Sequence, residues 1–371
     1  MQMDLRLSAF YEGRLRQLFL YVTYGCSFRC NHCLIGDRSG SSYSVTEIHD
    51  ILQMLRSHGA VKVTLLGGEP TKHPHLTQVI EDAKSLGYQV VLDTNGSFSV
   101  ALFGNTAFAS MDAISFSFDG HCAEVHDAIR GGGSFDQSLS CLRLAKERSL
   151  VVKVTHTVSR RNIAHLTDMY EFSVAAAVDE LNIHVATYNG RARTTHHPDI
   201  ITPGAWYAAY HSLREYVARR DVRPPLLRIP PRYCMPAELE ADYRDHMCVA
   251  YAADRMLILP MEKTKGDLGG PLYACGLMVG EPTTLGWNVA GRFQFNANGG
   301  EYPKHYANEL PRVRGRVVCP VMYRDRENLN YTRRNQLVPL CISYKPPLLR
   351  PLGALEQIDR VVKVEEAADA T

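Results

Sequence analysis

Apolar and polar positions along the first 220 residues alternate between two periods. "LFLYVTY" (18–24) is a short continuous apolar run, as expected of a buried strand. In "SVTEIHDILQML", Ile48, Ile51, Leu52 and Leu55 recur at the helical spacing i, i+3, i+4, i+7. Ser44 and Glu47 stand at capping-box distance before them. "VKVTLL" (61–66) predicts the next strand, and Leu76, Val79, Ile80 and Ala83 predict the helix after it. Strands follow at 88–93, 112–118, 150–158 and 180–187. Helices are expected near 100–110, 136–148, 163–177 and 203–219.

The result is six strand–helix units. Alternation of this kind calls for parallel strands joined by right-handed crossovers. Six units are too few for a closed eightfold barrel, so an open partial (βα)6 barrel or a doubly wound sheet is expected. Both architectures bind ligands at the C-terminal ends of the strands.

The pattern changes at "RPPLLRIPPRYCMP", where paired prolines interrupt any helix or inner strand. The expected division is an N-terminal extension over 1–15, a barrel over 16–219, and a proline-rich linker over 220–236. A loop-rich auxiliary domain over 237–345 and a C-terminal tail over 346–371 follow. The auxiliary segment has weak periodicity, and a metal cluster would help to hold it together.

Composition narrows the function. The chain has 371 residues, 45% of them hydrophobic, with a formal net charge of +2. So weak a field selects neither nucleic acid nor an anionic membrane. No apolar run is long enough to span a bilayer. The N-terminus lacks the apolar stretch of a signal peptide. Ten cysteines in such a chain imply a reducing, cytoplasmic setting, where clustered cysteines bind metal more often than they pair.

Three of those cysteines lie in "TYGCSFRCNHCLIG", just after the first strand. Cys26, Cys30 and Cys33 give C-x3-C-x2-C spacing. Three thiolates leave one position of an iron–sulfur cubane open, and an open position is where a metal site does chemistry. The competing reading is a zinc ion held by Cys26, Cys30, His32 and Cys33. One βα unit later comes "LLGGEPTKHP", in which Gly67 and Gly68 permit close backbone approach and Pro70 fixes a turn.

The cysteine spacing followed in order by GGEP resembles the radical S-adenosylmethionine (SAM) superfamily. The resemblance implies that Cys26, Cys30 and Cys33 hold a [4Fe–4S] cluster whose fourth iron position takes SAM. It implies that one electron cleaves SAM to a 5′-deoxyadenosyl radical. It also implies that Gly67, Gly68, Glu69 and Pro70 bind the SAM amino group. "DTNGS", "SFSFDG" and "HDAIRGGGSFD" resemble the peptide-modifying branch with SPASM or twitch extensions. On that likeness Ser117 contacts SAM and Arg130 meets its carboxylate, with Asn95 and Thr157 as further pocket residues. "NGRA" near residue 190 also resembles that branch, and His184 and Tyr188 would each either face substrate or line the barrel. Arg191, Arg193, His196 and His197 would suit an anionic group or form a solvated loop.

Gly270 to Cys275 matches the G-x4-C piece of a SPASM signature, but the full cysteine run is absent. One auxiliary [4Fe–4S] cluster of the twitch type is therefore expected, held by Cys248, Cys275, Cys319 and Cys341. Cys234 is a spare, and Cys122 and Cys141 are structural. The function expected is hydrogen-atom abstraction from a peptide or small biosynthetic intermediate, leading to oxidative modification. The alternatives are redox-neutral chemistry on a sugar, nucleotide or amino acid, and a catalytically inactive metal-braced binding module. The expected partners are the substrate and an external electron donor of the flavodoxin or ferredoxin type. With the first strand starting near residue 18, leader recognition would fall to a separate leader-peptide-binding protein. No membrane or nucleic-acid partner is expected.

Overall fold

In a computed structural model, the described residues are 2–5, 8, 11, 13–36, 41–187, 190–191, 199–220, 225–235, 237–238, 254–261, 270–275, 286–289, 292–295, 312–313, 316–317 and 337–340. A short strand, β1 (Gln2–Met3), precedes β2 (Gln17–Thr23). The alternating units then run α1 (Val45–Ser57), β3 (Lys62–Gly67), α2 (Leu76–Ser85), β4 (Gln89–Thr94), α3 (Thr106–Ala109), β5 (Ala113–Ser117), α4 (Ala123–Arg130), α5 (Ser134–Glu147), β6 (Val151–Val158), α6 (Leu166–Ala175), β7 (Glu180–Val185) and α7 (Pro203–Ala218). Beyond them lie β8 (Leu226–Arg228), β9 (Tyr233–Cys234), β10 (Arg255–Ile258), β11 (Gly270–Tyr273), β12 (Gly286–Val289) and β13 (Arg292–Phe295).

Strands β2 to β7 are parallel and neighbour one another in chain order. This is the expected partial barrel. The period-two pattern sorts its faces. Leu18, Leu20, Val63, Leu65, Val90, Leu92, Ile114, Phe116, Val152, Val154, Leu181 and Ile183 are fully buried. With Ile48, Ile51, Leu52, Leu55, Val79 and Ile80 of α1 and α2 they belong to one hydrophobic core. Toward β7 the opposite face is polar. Register sets Asp93 beside Ser115, Ser117 beside Thr155, Lys153 beside Glu180, and Thr157 beside His184.

The capping box of α1 is present, with Glu47 N donating to Ser44 Oγ and Ser44 N to a Glu47 carboxylate oxygen. The expected helix near 100–110 is instead a 3-10 turn over Val100–Gly104 followed by the single turn of α3.

The sheet is wider than six strands. β8, inside the proline-rich segment, pairs in parallel with β7, its prolines lying outside the paired residues. On the other side β10 pairs in parallel with β2, and β11, β12 and β13 add on antiparallel. Gly286–Val289 and its neighbours were not legible as strands because they are short and punctuated by glycine. Of the expected auxiliary-cluster ligands, Cys275 is described and buried, whereas Cys248, Cys319 and Cys341 lie outside the described residues, as do Tyr188, Arg193, His196 and His197.

Candidate active site

The cysteine loop leaves the C-terminal end of β2. Cys26 is exposed, and Cys30 and Cys33 are half-buried. Gly67 and Gly68, at the end of β3, let the chain lie against this loop. A Cβ on Gly68 would stand 2.5 Å from Tyr24 O, 2.6 Å from Gly25 O and 2.8 Å from Cys26 Cβ. The close approach these glycines permit is therefore to the cysteine loop itself. Gly68 N donates to Thr23 O at 2.9 Å and Glu69 N to Gly25 O at 2.8 Å.

Glu69 is fully buried, and its carboxylate is engaged by the protein. Oε1 accepts from Thr71 N at 3.1 Å, Thr71 Oγ1 at 2.7 Å and Thr94 Oγ1 at 2.7 Å, and Oε2 accepts from Asn95 N at 2.8 Å. These bonds tie the end of β3 to the end of β4. Asn95, also buried, uses its Oδ1 to accept from Ser97 N and its Nδ2 to reach Cys26 Sγ at 3.6 Å. Asn95 thus touches the cysteine loop directly.

A second network lies on the other side of the loop. Asp119, the aspartate of "FDG", is fully buried. Arg130 Nε donates to its Oδ2 at 2.6 Å, and Thr157 N donates to its Oδ1 at 2.9 Å. His32, between Cys30 and Cys33, brings Nε2 within 3.3 Å of Oδ2. His126 and Arg130, one turn apart on α4, both serve this residue, since Asp119 N donates to His126 Nδ1 at 3.3 Å. Burial alone would raise the Asp119 pKa, but Arg130, His32, His156 and the Thr157 N–H outweigh it and hold the carboxyl well below the usual range. Burial holds His32 below the ordinary imidazole range against the pull of Asp119.

Arg130 also faces the thiols. Burial pushes the Cys30 thiol up to about 11, and the charge of Arg130 is the main influence opposing it. Ligation needs thiolates, so a buried cation here favours the binding-competent form. Ser117, at the end of β5, is half-buried beside Thr155. Thr157 enters the network through its backbone.

The loop is closed from a third side. Arg191 Nη1 donates to Cys30 O at 2.9 Å, and Arg191 N to Cys33 O at 3.0 Å. Gly190 has φ +57, and a Cβ there would collide with the Cys33 and Leu34 carbonyls. Gly190 and Arg191 thus brace the cysteine loop. Asp119 and Thr94 escaped sequence reasoning, and His32 entered it only as a zinc ligand and Gly190 only within "NGRA", because each acts on a partner distant in the chain. The order of DG, HDAIR and NGRA was the only signal available.

The donor set fits a cluster better than a zinc ion. A zinc ion with Zn–S of about 2.3 Å gathers its sulfurs within about 4 Å of one another. The three cysteine sulfurs do not all lie within 4.8 Å of one another, and among the described residues only His121, His165 and Asp168 bring three ligand atoms that close. His32 Nε2 is turned to Asp119. Buried Asp93 Oδ1 and His156 Nε2 have no hydrogen-bond partner among the described residues. Such atoms suit a site built to receive a polar ligand. No helix of the described residues is long and apolar enough to cross a membrane.

Comparison with known proteins agrees with this geometry. The mycofactocin maturase MftC of Mycobacterium tuberculosis is 35% identical over 152 residues, which cover 40% of this chain and 39% of the maturase. A probable GTP 3',8-cyclase of Saccharolobus solfataricus is 27% identical over 236 residues, covering 61% of this chain and 72% of the cyclase. Among solved structures, Streptococcus suis SuiB bound to precursor peptide SuiA shares the fold with a TM-score of 0.60 at 13% identity, over 75% of this chain and 64% of that one. Residues 20–173, from β2 into α6, match the family model of the radical SAM superfamily, and this part of the chain is similar to that superfamily.

Proposed function

We propose that the chain is a maturase-type radical SAM enzyme of the SPASM/twitch branch, which oxidatively modifies a peptide. The observation that carries this reading is the seating of the Cys26–Cys30–Cys33 loop between two networks, Glu69–Asn95 and Asp119–Arg130, inside the matched region. When bound, a [4Fe–4S] cluster and SAM would supply the electron and the 5′-deoxyadenosyl radical that removes a substrate hydrogen atom. Cys26, Cys30 and Cys33 would hold the cluster. Gly67, Gly68, Glu69, Pro70, Asn95, Ser117, Arg130 and Thr157 line or brace the place for SAM. Glu69 acts there by positioning Asn95 and the β3 turn. The polar face of β4 to β7 then receives the substrate.

The maturase relative supports a peptide substrate, and the shared fold includes a protein seen with its precursor peptide. The cyclase relative favours a second reading, a nucleotide or other small metabolite. The auxiliary segment over 237–345 would carry a second cluster with Cys275 among its ligands. Register sets Tyr273 beside Leu257 and Arg255 beside Gln17, so Cys275 lies near the start of β2, on the order of 20 Å along the strand from its cysteine-loop end. A cluster there would relay electrons rather than anchor substrate. A flavodoxin- or ferredoxin-type donor and a separate leader-binding protein complete the cytoplasmic system proposed.

The test is anaerobic turnover of the reduced, iron-loaded protein with peptides encoded by neighbouring short reading frames. The expected result is 5′-deoxyadenosine formation together with loss of two hydrogens from a peptide, both abolished by Cys30→Ala. Consumption of a nucleotide with no change in any peptide would establish the second reading instead.

A further inference from the structure

Outside the site just described, three side chains with metal-binding atoms converge at the rim of the barrel. His121 lies in the connection between β5 and α4. His165 is the N-cap of α6 and Asp168 lies in its first turn, three residues on, with the two side chains in contact. One ligand atom from each falls within 4.8 Å of the other two. His165 Nδ1 and Asp168 Oδ2 are 3.1 Å apart. The His121 and His165 rings are 5.2 Å apart between centroids, at an interplanar angle of 41°.

A surface ion pair between His165 and Asp168 would explain only part of this. Such a pair contributes little and asks nothing of a third residue. His121 nonetheless brings its ring against that of His165. Its Nδ1 is buried and has no hydrogen-bond partner among the described residues. A buried ring nitrogen without a partner beside a second imidazole and a carboxylate is a donor set lacking an electrophile.

We infer that His121, His165 and Asp168 form a binding site for a divalent first-row transition ion of the zinc class. Two imidazole nitrogens and one carboxylate oxygen suit zinc, nickel or iron, and do not suit calcium or magnesium, which take oxygen ligands. Three protein ligands leave a fourth position to water. The ion would fasten the β5–α4 connection to α6. His121 is two residues from Asp119, so the fastening bears on the residue that pairs with Arg130 and with His32 of the cysteine loop. It also gives zinc in a preparation of this protein a place that is not the three cysteines.

The test uses the full chain, iron-loaded and kept anaerobic, dialysed against micromolar buffered zinc. Wild-type protein should retain one more equivalent of zinc than the double variant His165→Ala/Asp168→Asn, with iron content equal in both. On the wild-type protein alone, zinc should slow amide exchange in the segment from His121 to Arg130 and in the first turn of α6, and nowhere else. Equal zinc in wild type and variant, or no local slowing in the wild type, overturns the inference. Iron content and 5′-deoxyadenosine formation report separately on the cysteine loop.

Discussion

Arg130 and Asp119 form a buried ion pair, with Nε 2.6 Å from Oδ2 and neither side chain appreciably open to solvent. The pair is satisfied on several sides, with Thr157 N and His32 completing the carboxylate. Removing one member leaves the other buried and uncompensated, which costs about 3–5 kcal/mol. Asp119→Asn should therefore lower unfolding stability by about 3 kcal/mol in urea titrations. It should also lower the iron bound per chain, because Arg130 then loses its fixed position beside Cys30 and Cys33. Stability and iron content unchanged from wild type would show that the pair holds nothing in place.

His126 supplies a pH dependence. Its ring is buried among Phe118 and Phe135 and accepts from Asp119 N. Burial, with Arg130 adding to it, lowers its pKa to about 4. The folded value lies below the unfolded one of about 6.5, so between the two the unfolded chain binds more protons. Stability contributed by the neutral ring is complete above pH ~6.5 and is lost as the pH falls toward 4, by about 3 kcal/mol in all. Denaturation of wild type and His126→Phe across this window should show the steeper fall in the wild type. Parallel curves would mean that the ring does not titrate as described.

Gly68 of the GGEP turn and Gly132 of the "GGG" run make opposite predictions. Gly68→Ala must displace the Tyr24 and Gly25 carbonyls and Cys26 Cβ. A loss of about 1–3 kcal/mol and a reduced iron content are expected. Gly132 has open space where a Cβ would stand and an ordinary φ. Gly132→Ala should then change stability by no more than about 0.5 kcal/mol. If the two variants behave alike in thermal melts and iron analysis, close packing on the cysteine loop is not what Gly68 provides.

How much of this was legible beforehand follows from the range over which each residue acts. Strands β2 to β7 were readable because each is an apolar or alternating run bounded by turn residues, and α1 because Ser44 and Glu47 cap it three residues apart. Cys26, Cys30 and Cys33 were readable because their relation is local. Strand β8 was hidden by the prolines that flank it, and α4 by its shortness between two glycine-bearing turns. The joining of Asp119 to His32 and Arg130, and of Gly190 to Cys33, depends on where the barrel returns the chain. Single-residue positions carry no periodicity that would announce such contacts. Glu69 was read as a ligand-binding carboxylate. Its four hydrogen bonds to Thr71, Thr94 and Asn95 arise from two strand ends that meet only in the folded sheet.

Cys275 stands apart from the cysteine loop. It is buried just beyond β11, and the antiparallel run of β11 carries it away from the C-terminal end of β2. If it ligates a second cubane, Cys275→Ala should remove about four irons per chain while leaving Cys26, Cys30 and Cys33 undisturbed. Cleavage of SAM in the absence of substrate, which needs only the first cluster and a reductant, should then proceed as in the wild type. Oxidised product should fail to accumulate, because the electron left on the substrate has no relay. Iron analysis and the ratio of 5′-deoxyadenosine to modified product measure the two effects on one sample. Unchanged iron content removes Cys275 from the ligand set. Loss of iron together with loss of SAM cleavage would place Cys275 in the service of the first cluster, against the separation that the strand register imposes.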